Sequence, residues 1–219
     1  MIQGEWYSNG TKKKPLFRGV FHEIAFALTP VFGYYLLNTC KSIKSYMSCM
    51  IYMIGWLASY GFSSQFHRRN CSLKTEIMLS KLDHAGIFLM TAGSYTPLGV
   101  LALQKSLSFL FFVWIGALLG IYSSFLPKPR KTINTLIYIC YGSIILLCWK
   151  ELKTFLIPKE IYMTIIGLLC YCIGGFIYIL KKPDPIPDIF GFHELLHLCT
   201  IIGGLCAYFL NYSLASRFS

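Results

Sequence analysis

The apolar residues of this chain gather into seven blocks separated by short polar gaps. The blocks cover 19–38, 46–67, 83–103, 107–125, 132–149, 160–180 and 192–211. Each is long enough, at about 1.5 Å rise per residue, for a helix to cross about 30 Å of hydrocarbon. Only helices and closed barrels satisfy every backbone group in lipid, and continuous apolar runs are helical in character. The pattern therefore predicts an all-α integral membrane protein, a seven-transmembrane-helix bundle whose sequential helices pack antiparallel. Residues 1–18 and 212–219 are expected to be polar tails, with no soluble domain left over. The first block runs on to Asn38 without the small-residue cleavage site of a signal peptide, so it is expected to be a retained helix.

Composition agrees with this class. Hydrophobic residues are 55% of the 219 and charged residues 13%, with a net charge of +11 and a mean hydropathy of +0.56. The charges sit in the gaps between blocks, so the basic excess reads as loops facing anionic headgroups, with no nucleic-acid partner. Lys12, Lys13, Lys14, Arg18, Arg68, Arg69, Lys74, Lys81, Lys128, Arg130, Lys131, Lys181 and Lys182 fall on the N-terminal side. Lys41, Lys44, Lys105, Lys150, Lys153, Lys159 and Arg217 fall on the other. This bias predicts a cytoplasmic N-terminus. The nine cysteines, without a Cys-x-x-Cys pair, read as small packing residues.

Some polar and small residues inside the blocks have structural readings. Gly116 and Gly120 form a small-xxx-small pair expected to let helix backbones approach. Pro97 is expected to kink or loosen the third helix. The run Lys181–Asp188, rich in proline, is expected to be extended and stiff, with Asp184 and Asp188 as solvated carboxylates.

The chemistry concentrates in His193-Glu194-Leu195-Leu196-His197. Histidines at i and i+4 share one helix face, half of a tetrahedral metal site. The literal H-E-x-x-H pattern belongs to zinc proteases. Beyond His197, however, the chain has no His, Asp or Glu, so further ligands must come from upstream helices. That disfavours a standard protease but leaves an intramembrane variant, in which Glu194, about 100° from His193, could still face the site. Antiparallel topology brings the upstream ligands: the second block ends at His67, the third begins at Asp83, and the seventh begins at His193, all on the N-terminal side. Three imidazoles, His67, His193 and His197, with one water would complete a catalytic type of zinc site. Asp83 would serve as the base for that water and Ser63, one turn before His67, would donate a hydrogen bond. His84 points about 100° away from Asp83 and is not expected to ligate. His22 and Glu23 open the first helix at the same depth, and Arg68 and Arg69 are expected to anchor a helix end at the headgroups.

Four elements together resemble one family. They are Ser63-Ser64-Gln65-Phe66-His67, Ser80-Lys81-Leu82-Asp83-His84-Ala85-Gly86-Ile87, Ala92-Gly93-Ser94-Tyr95-Thr96-Pro97 and His193-Glu194-Leu195-Leu196-His197. In order and spacing they are similar to the hemolysin III family, which belongs with the progestin and adiponectin receptors. The short N-terminal region looks like the bacterial branch. The resemblance implies a seven-helix bundle in the bacterial inner (plasma) membrane, with zinc held by His67, His193 and His197 and with Asp83 and Ser63 beside it. It also implies hydrolase chemistry on a lipid amide. One departure stands in the first helix: Glu23 matches the family pattern, but Phe26 and Pro30 replace its Asn and His.

The expectation is thus a zinc-dependent membrane hydrolase whose partners are membrane lipids. Two alternatives come from the same resemblance: a cytolytic, pore-forming protein with a structural metal, and a receptor or signal transducer.

Overall fold

In a computed structural model of the chain, the described residues are 14–103, 106–126 and 131–218, with backbone alone at 7–8, 11–12, 106 and 131. Lys13, Lys105, Lys128 and Arg130, four of the charges used for orientation, lie outside them, as do the side chains of Lys12 and Lys131.

Two short strands, β1 (Tyr7–Ser8) and β2 (Thr11–Lys12), pair antiparallel. The rest is helical: α1 Val20–Thr39, α2 Ile43–Arg68, α3 Leu73–Ala102 and α4 Ser106–Phe125. Then α5 (Lys131–Gly142) continues through a 3-10 stretch, Ser143–Cys148, into α6 (Trp149–Phe155), followed by α7 (Pro158–Leu180) and α8 (Phe192–Phe218). Among the described residues, six helical rods are long and apolar enough to cross a membrane. The remaining long helix, α2, has 26 residues but a lower apolar content, because its buried positions include Ser45, Ser48, Ser59, Ser63 and Ser64.

Helix ends follow side-chain caps. Ser42 accepts from the Ser45 N–H (3.2 Å) and Ser72 from the Thr75 N–H (3.3 Å), each satisfying a donor that the first helical turn leaves unpaired. The Ser72 cap sets where the third helix begins. The third helix starts at Leu73, ten residues before Asp83. Its first turns carry Lys74, Glu76 and Lys81, so hydropathy does not register them as helix. Asp83 therefore sits about 15 Å into α3. The fifth apolar block is likewise part of a longer rod, and α8 continues past residue 211 to Phe218.

α2 packs chiefly on α3, and α8 on α7. The α2–α3 approach is close because glycines face backbone. A Cβ on Gly55 would stand 2.9 Å from the Leu89 carbonyl oxygen, and one on Gly93 3.2 Å from that of Ile51. Gly116 and Gly120 do something else: they make room for the rings of Tyr141 and Phe88. Two apolar clusters result, one joining Phe88, Leu98, Val113, Leu152 and Leu214, the other Leu36, Tyr52, Trp56, Tyr60 and Tyr208.

α3 runs unbroken through Pro97. A proline ring crowds the preceding turn and weakens its hydrogen bonding. Asn211 of α8, fully buried, donates its side-chain amide to the Ser94 carbonyl in that turn (3.1 Å). A neighbouring helix thus supplies the partner that hydrocarbon does not offer.

The linker before α8 is folded, not extended. Ile186 and Phe190 exchange backbone hydrogen bonds (2.9 and 2.8 Å) around a tight turn in which Asp188 has φ 64°. Asp184 is exposed, but its Oδ1 accepts from the Phe192 N–H at the start of α8 (3.1 Å).

Candidate metal centre

Helix geometry brings the predicted imidazoles together. His67 lies in the last turn of α2, and His193 and His197 lie one turn apart at the start of α8. All three are buried, at 3%, 7% and 3% exposure. Their rings form a nearly equilateral triangle, with centroids 4.7, 4.7 and 5.0 Å apart. One nitrogen from each lies within 4.8 Å of the others, a group that could hold a metal ion.

One distance tests the fit. Nε2 of His67 and Nε2 of His193 are 3.2 Å apart. Two nitrogens bound to one tetrahedral ion at about 2.0–2.1 Å would be separated by about 3.3 Å. The buried Nδ1 of His197 has no hydrogen-bond partner among the described residues, so that nitrogen too is not committed elsewhere. The residues present suit a small divalent ion.

Around the three imidazoles, the structure brings some predicted residues close and gives others different work. Asp83 of α3 places Oδ2 3.9 Å from His67 Nε2, and its side chain is 18% exposed. Ser63 is buried one turn before His67 and lines the same cavity. His84 lines the cavity too, but its Nδ1 lies 2.6 Å from the Ser80 carbonyl of its own helix. Arg68 pairs with Glu23 of α1 (3.0 Å) at the exposed helix end.

Glu194, the central acid of the H-E-x-x-H pattern, is fully buried and engaged away from the imidazoles. Its Oε2 accepts from the Gly191 N–H (2.8 Å), and its Oε1 lies 2.6 Å from Arg18 Nε. A carboxylate held by a helix-start N–H and a guanidinium is a structural anion. It is not placed as a general base.

Two contacts at the site are not signalled by the sequence. The Arg18–Glu194 pair joins residues 176 positions apart, and no local pattern signals it. His22 of α1 stacks on His197, with centroids 3.9 Å apart and planes within 10°, and its Nε2 lies 3.0 Å from Thr200 Oγ1. Its depth was legible from the sequence, but the stacking was not.

The histidines border a cavity of about 880 Å³ that continues down the bundle past Ser94 and Tyr171 to Ile145, Met163 and Leu210. Leu210 lies 13 residues beyond His197 on α8, about 20 Å along the helix. The imidazoles stand toward one end of a long, largely apolar chamber.

Comparison with known proteins agrees with these features. A family described as "Haemolysin-III related" matches residues 11–208. The chain is 30% identical over 166 residues to the Hemolysin-3 homolog of Bacillus subtilis (strain 168), covering 74% of each. It is 27% identical over 162 residues to Hemolysin-3 of Bacillus cereus, covering 73% of this chain and 71% of that one. With its apolar helices and this match, the chain is an integral, multi-pass membrane protein that belongs to the haemolysin III family.

Proposed function

We propose that this protein is a zinc-dependent membrane hydrolase acting on a lipid amide, with seven membrane-spanning rods and the histidine end facing the cytoplasm. The observation that carries the reading is the triangle of buried imidazoles opening onto a long apolar cavity beside a carboxylate. A site that only fastened helices together would need neither the cavity nor the acid.

Zinc on three imidazoles supplies Lewis acidity, lowering the pKa of a bound water to about 7 and polarising a carbonyl. This chain's own residues do the rest. His67, His193 and His197 would hold the ion, the apolar walls would take a hydrocarbon chain, and the surrounding helices would exclude bulk water. Asp83, at the edge of the cavity, would accept a proton from water and return it to the leaving amine. Ser63 would donate a hydrogen bond to the substrate's oxygen.

The test incubates zinc-loaded protein with a membrane lipid extract and compares it with Asp83→Ala. Release of fatty acid by the native protein, and its fall by about 100-fold or more in the variant while zinc stays bound, is the expected result. Equal release by both proteins would sink the assignment of Asp83. The names of the two Bacillus relatives favour a second reading, a membrane-lytic protein with a structural metal. That reading expects lysis of vesicles or erythrocytes to survive Asp83→Ala.

A further inference from the structure

The two ligand-bearing helices do not hold each other in place. α2 packs chiefly on α3, and α8 on α7, and their direct contact is slight. Yet a metal site needs nitrogens placed to within about half an ångström. α3 and α1 each pack on both helices, so the finer placement of the end of α2 against the start of α8 falls to contacts made at those ends.

The short segment before α1 touches both. On the α2 side, the Lys14 ammonium donates to the Arg69 carbonyl (2.8 Å) and reaches that of Phe66 (3.4 Å). These oxygens flank His67 at the C-terminal end of a helix, where cations are favoured. On the α8 side, the N–H groups of Leu16 and Phe17 donate to the carbonyls of Asp188 and Ile189 (3.1 and 3.2 Å). Arg18 then pairs with Glu194, the residue next to His193, at 2.6 Å with both side chains buried. Gly19 closes the segment. It has φ +78°, and a Cβ there would stand 2.6 Å from Cβ of His67. Glycine is required twice over at this point, for its backbone conformation and for its contact with a ligand residue.

We propose that Lys14–Gly19 is a positioning strap for the metal centre, spanning from the end of α2 to the start of α8 and setting the distance between His67 and His193, with Arg18 and Glu194 as its buried fastening. The proposal rests on the metal-site reading above. Arg18 and Glu194 act through the ligands and do not touch the ion. Glu194 contributes through Oε2 as well, because its bond to the Gly191 N–H fixes the turn from which His193 projects.

The test measures zinc affinity of the full-length protein in detergent micelles by competition with a chelator of known affinity. Arg18→Gln and Glu194→Gln should each weaken zinc binding by about 10–100-fold, the range found when partners behind metal ligands are lost. Arg18→Lys, which keeps the charge, should recover most of that loss. A second readout separates positioning from general stability: the rise in unfolding temperature that zinc produces. A strap that positions ligands predicts a smaller zinc-induced rise in Arg18→Gln. If the variant only lowers the zinc-free unfolding temperature and keeps the full rise, the proposal is overturned. Should Arg18→Gln not fold, Lys14→Met tests the other anchor, with a loss of about threefold to tenfold expected. Affinities within twofold of native in all variants overturn the strap and leave the metal site standing. A native protein that takes up no zinc at micromolar concentration overturns the metal site itself.

Discussion

Helix α8 begins and ends on a buried carboxylate paired with an arginine, and the two pairs do different work. At its far end Glu160 of α7, fully buried, is paired with Arg217. It also accepts from Ser213 Oγ (2.6 Å) and from the Ile157 N–H (3.0 Å). Ser213 and Arg217 are one turn apart on α8, and Ile157 caps α7, whose first turn contains Glu160. The whole arrangement is a clasp between two consecutive helices, and no candidate ligand lies among these partners. At the near end Glu194 is paired with Arg18 from a remote segment, and the preceding residue, His193, is a candidate ligand. The same ion pair is a fastener in one place and a ruler in the other. A buried carboxylate's role therefore follows from what stands within one turn of it, not from its burial or its partner.

The comparison breaks most sharply at the imidazoles. In the proposed site each of His67, His193 and His197 would supply one of three donors, and losing one is expected to weaken zinc binding by about 3 kcal/mol, more than 100-fold. His193→Ala or His197→Ala should leave the purified protein with far less than one zinc per chain by elemental analysis. Stoichiometric zinc in the double variant would remove the functional distinction between the two ends of α8.

The acids give the next effect. Glu194→Ala removes one half of an ion pair whose guanidinium is only 6% exposed, at a cost of about 3 kcal/mol. Glu160→Ala leaves Arg217, 31% exposed, with its hydrogen bond to the Phe155 carbonyl (3.1 Å). Arg217 can turn toward water or headgroups, so the cost should be about 2 kcal/mol. Unfolding in micelles should rank the variants in that order. Zinc affinity should fall only for Glu194→Ala and stay within twofold of native for Glu160→Ala. A fall in both would mean that affinity reports the overall stability of α8.

The sequence carried much of this contrast, but unevenly. His193 and His197 were legible because helical spacing alone places them on one face. His67 and Asp83 followed from antiparallel topology, which needs only block lengths and short loops. The Arg18–Glu194 pair was not legible, because it depends on a chain segment outside every apolar block folding back across the mouth of the bundle. The start of α3 at Leu73 was hidden for a related reason: a helix that projects beyond the apolar layer is polar, and hydropathy detects burial in lipid, not helicity. The linker before α8 looks extended in sequence because of its prolines, whereas the Asp184 carboxylate caps α8 and the Ile186–Phe190 backbone bonds turn the chain. Glu194 shows the limit of motif matching, since the pattern specified a residue but not its partner.

The smallest effect belongs to His22, which only the near end of α8 possesses. Its ring lies flat on His197 and its Nε2 meets Thr200 Oγ1. If it is a neighbour that steadies the ligand ring, His22→Phe keeps the stack and loses one hydrogen bond, worth about 1 kcal/mol. Zinc affinity should then fall by about fivefold or less, and that of Thr200→Val, which also loses the hydroxyl's bond to the His197 carbonyl (2.8 Å), should fall at least as far. A fall of 100-fold or more in His22→Phe with Thr200→Val unaffected would make His22 a ligand in its own right. The open position on the ion would then be occupied by protein. A site filled by four imidazoles has no place for an activated water, so that result would convert the near end of α8 from a reaction centre into a second clasp, with a metal in place of the guanidinium.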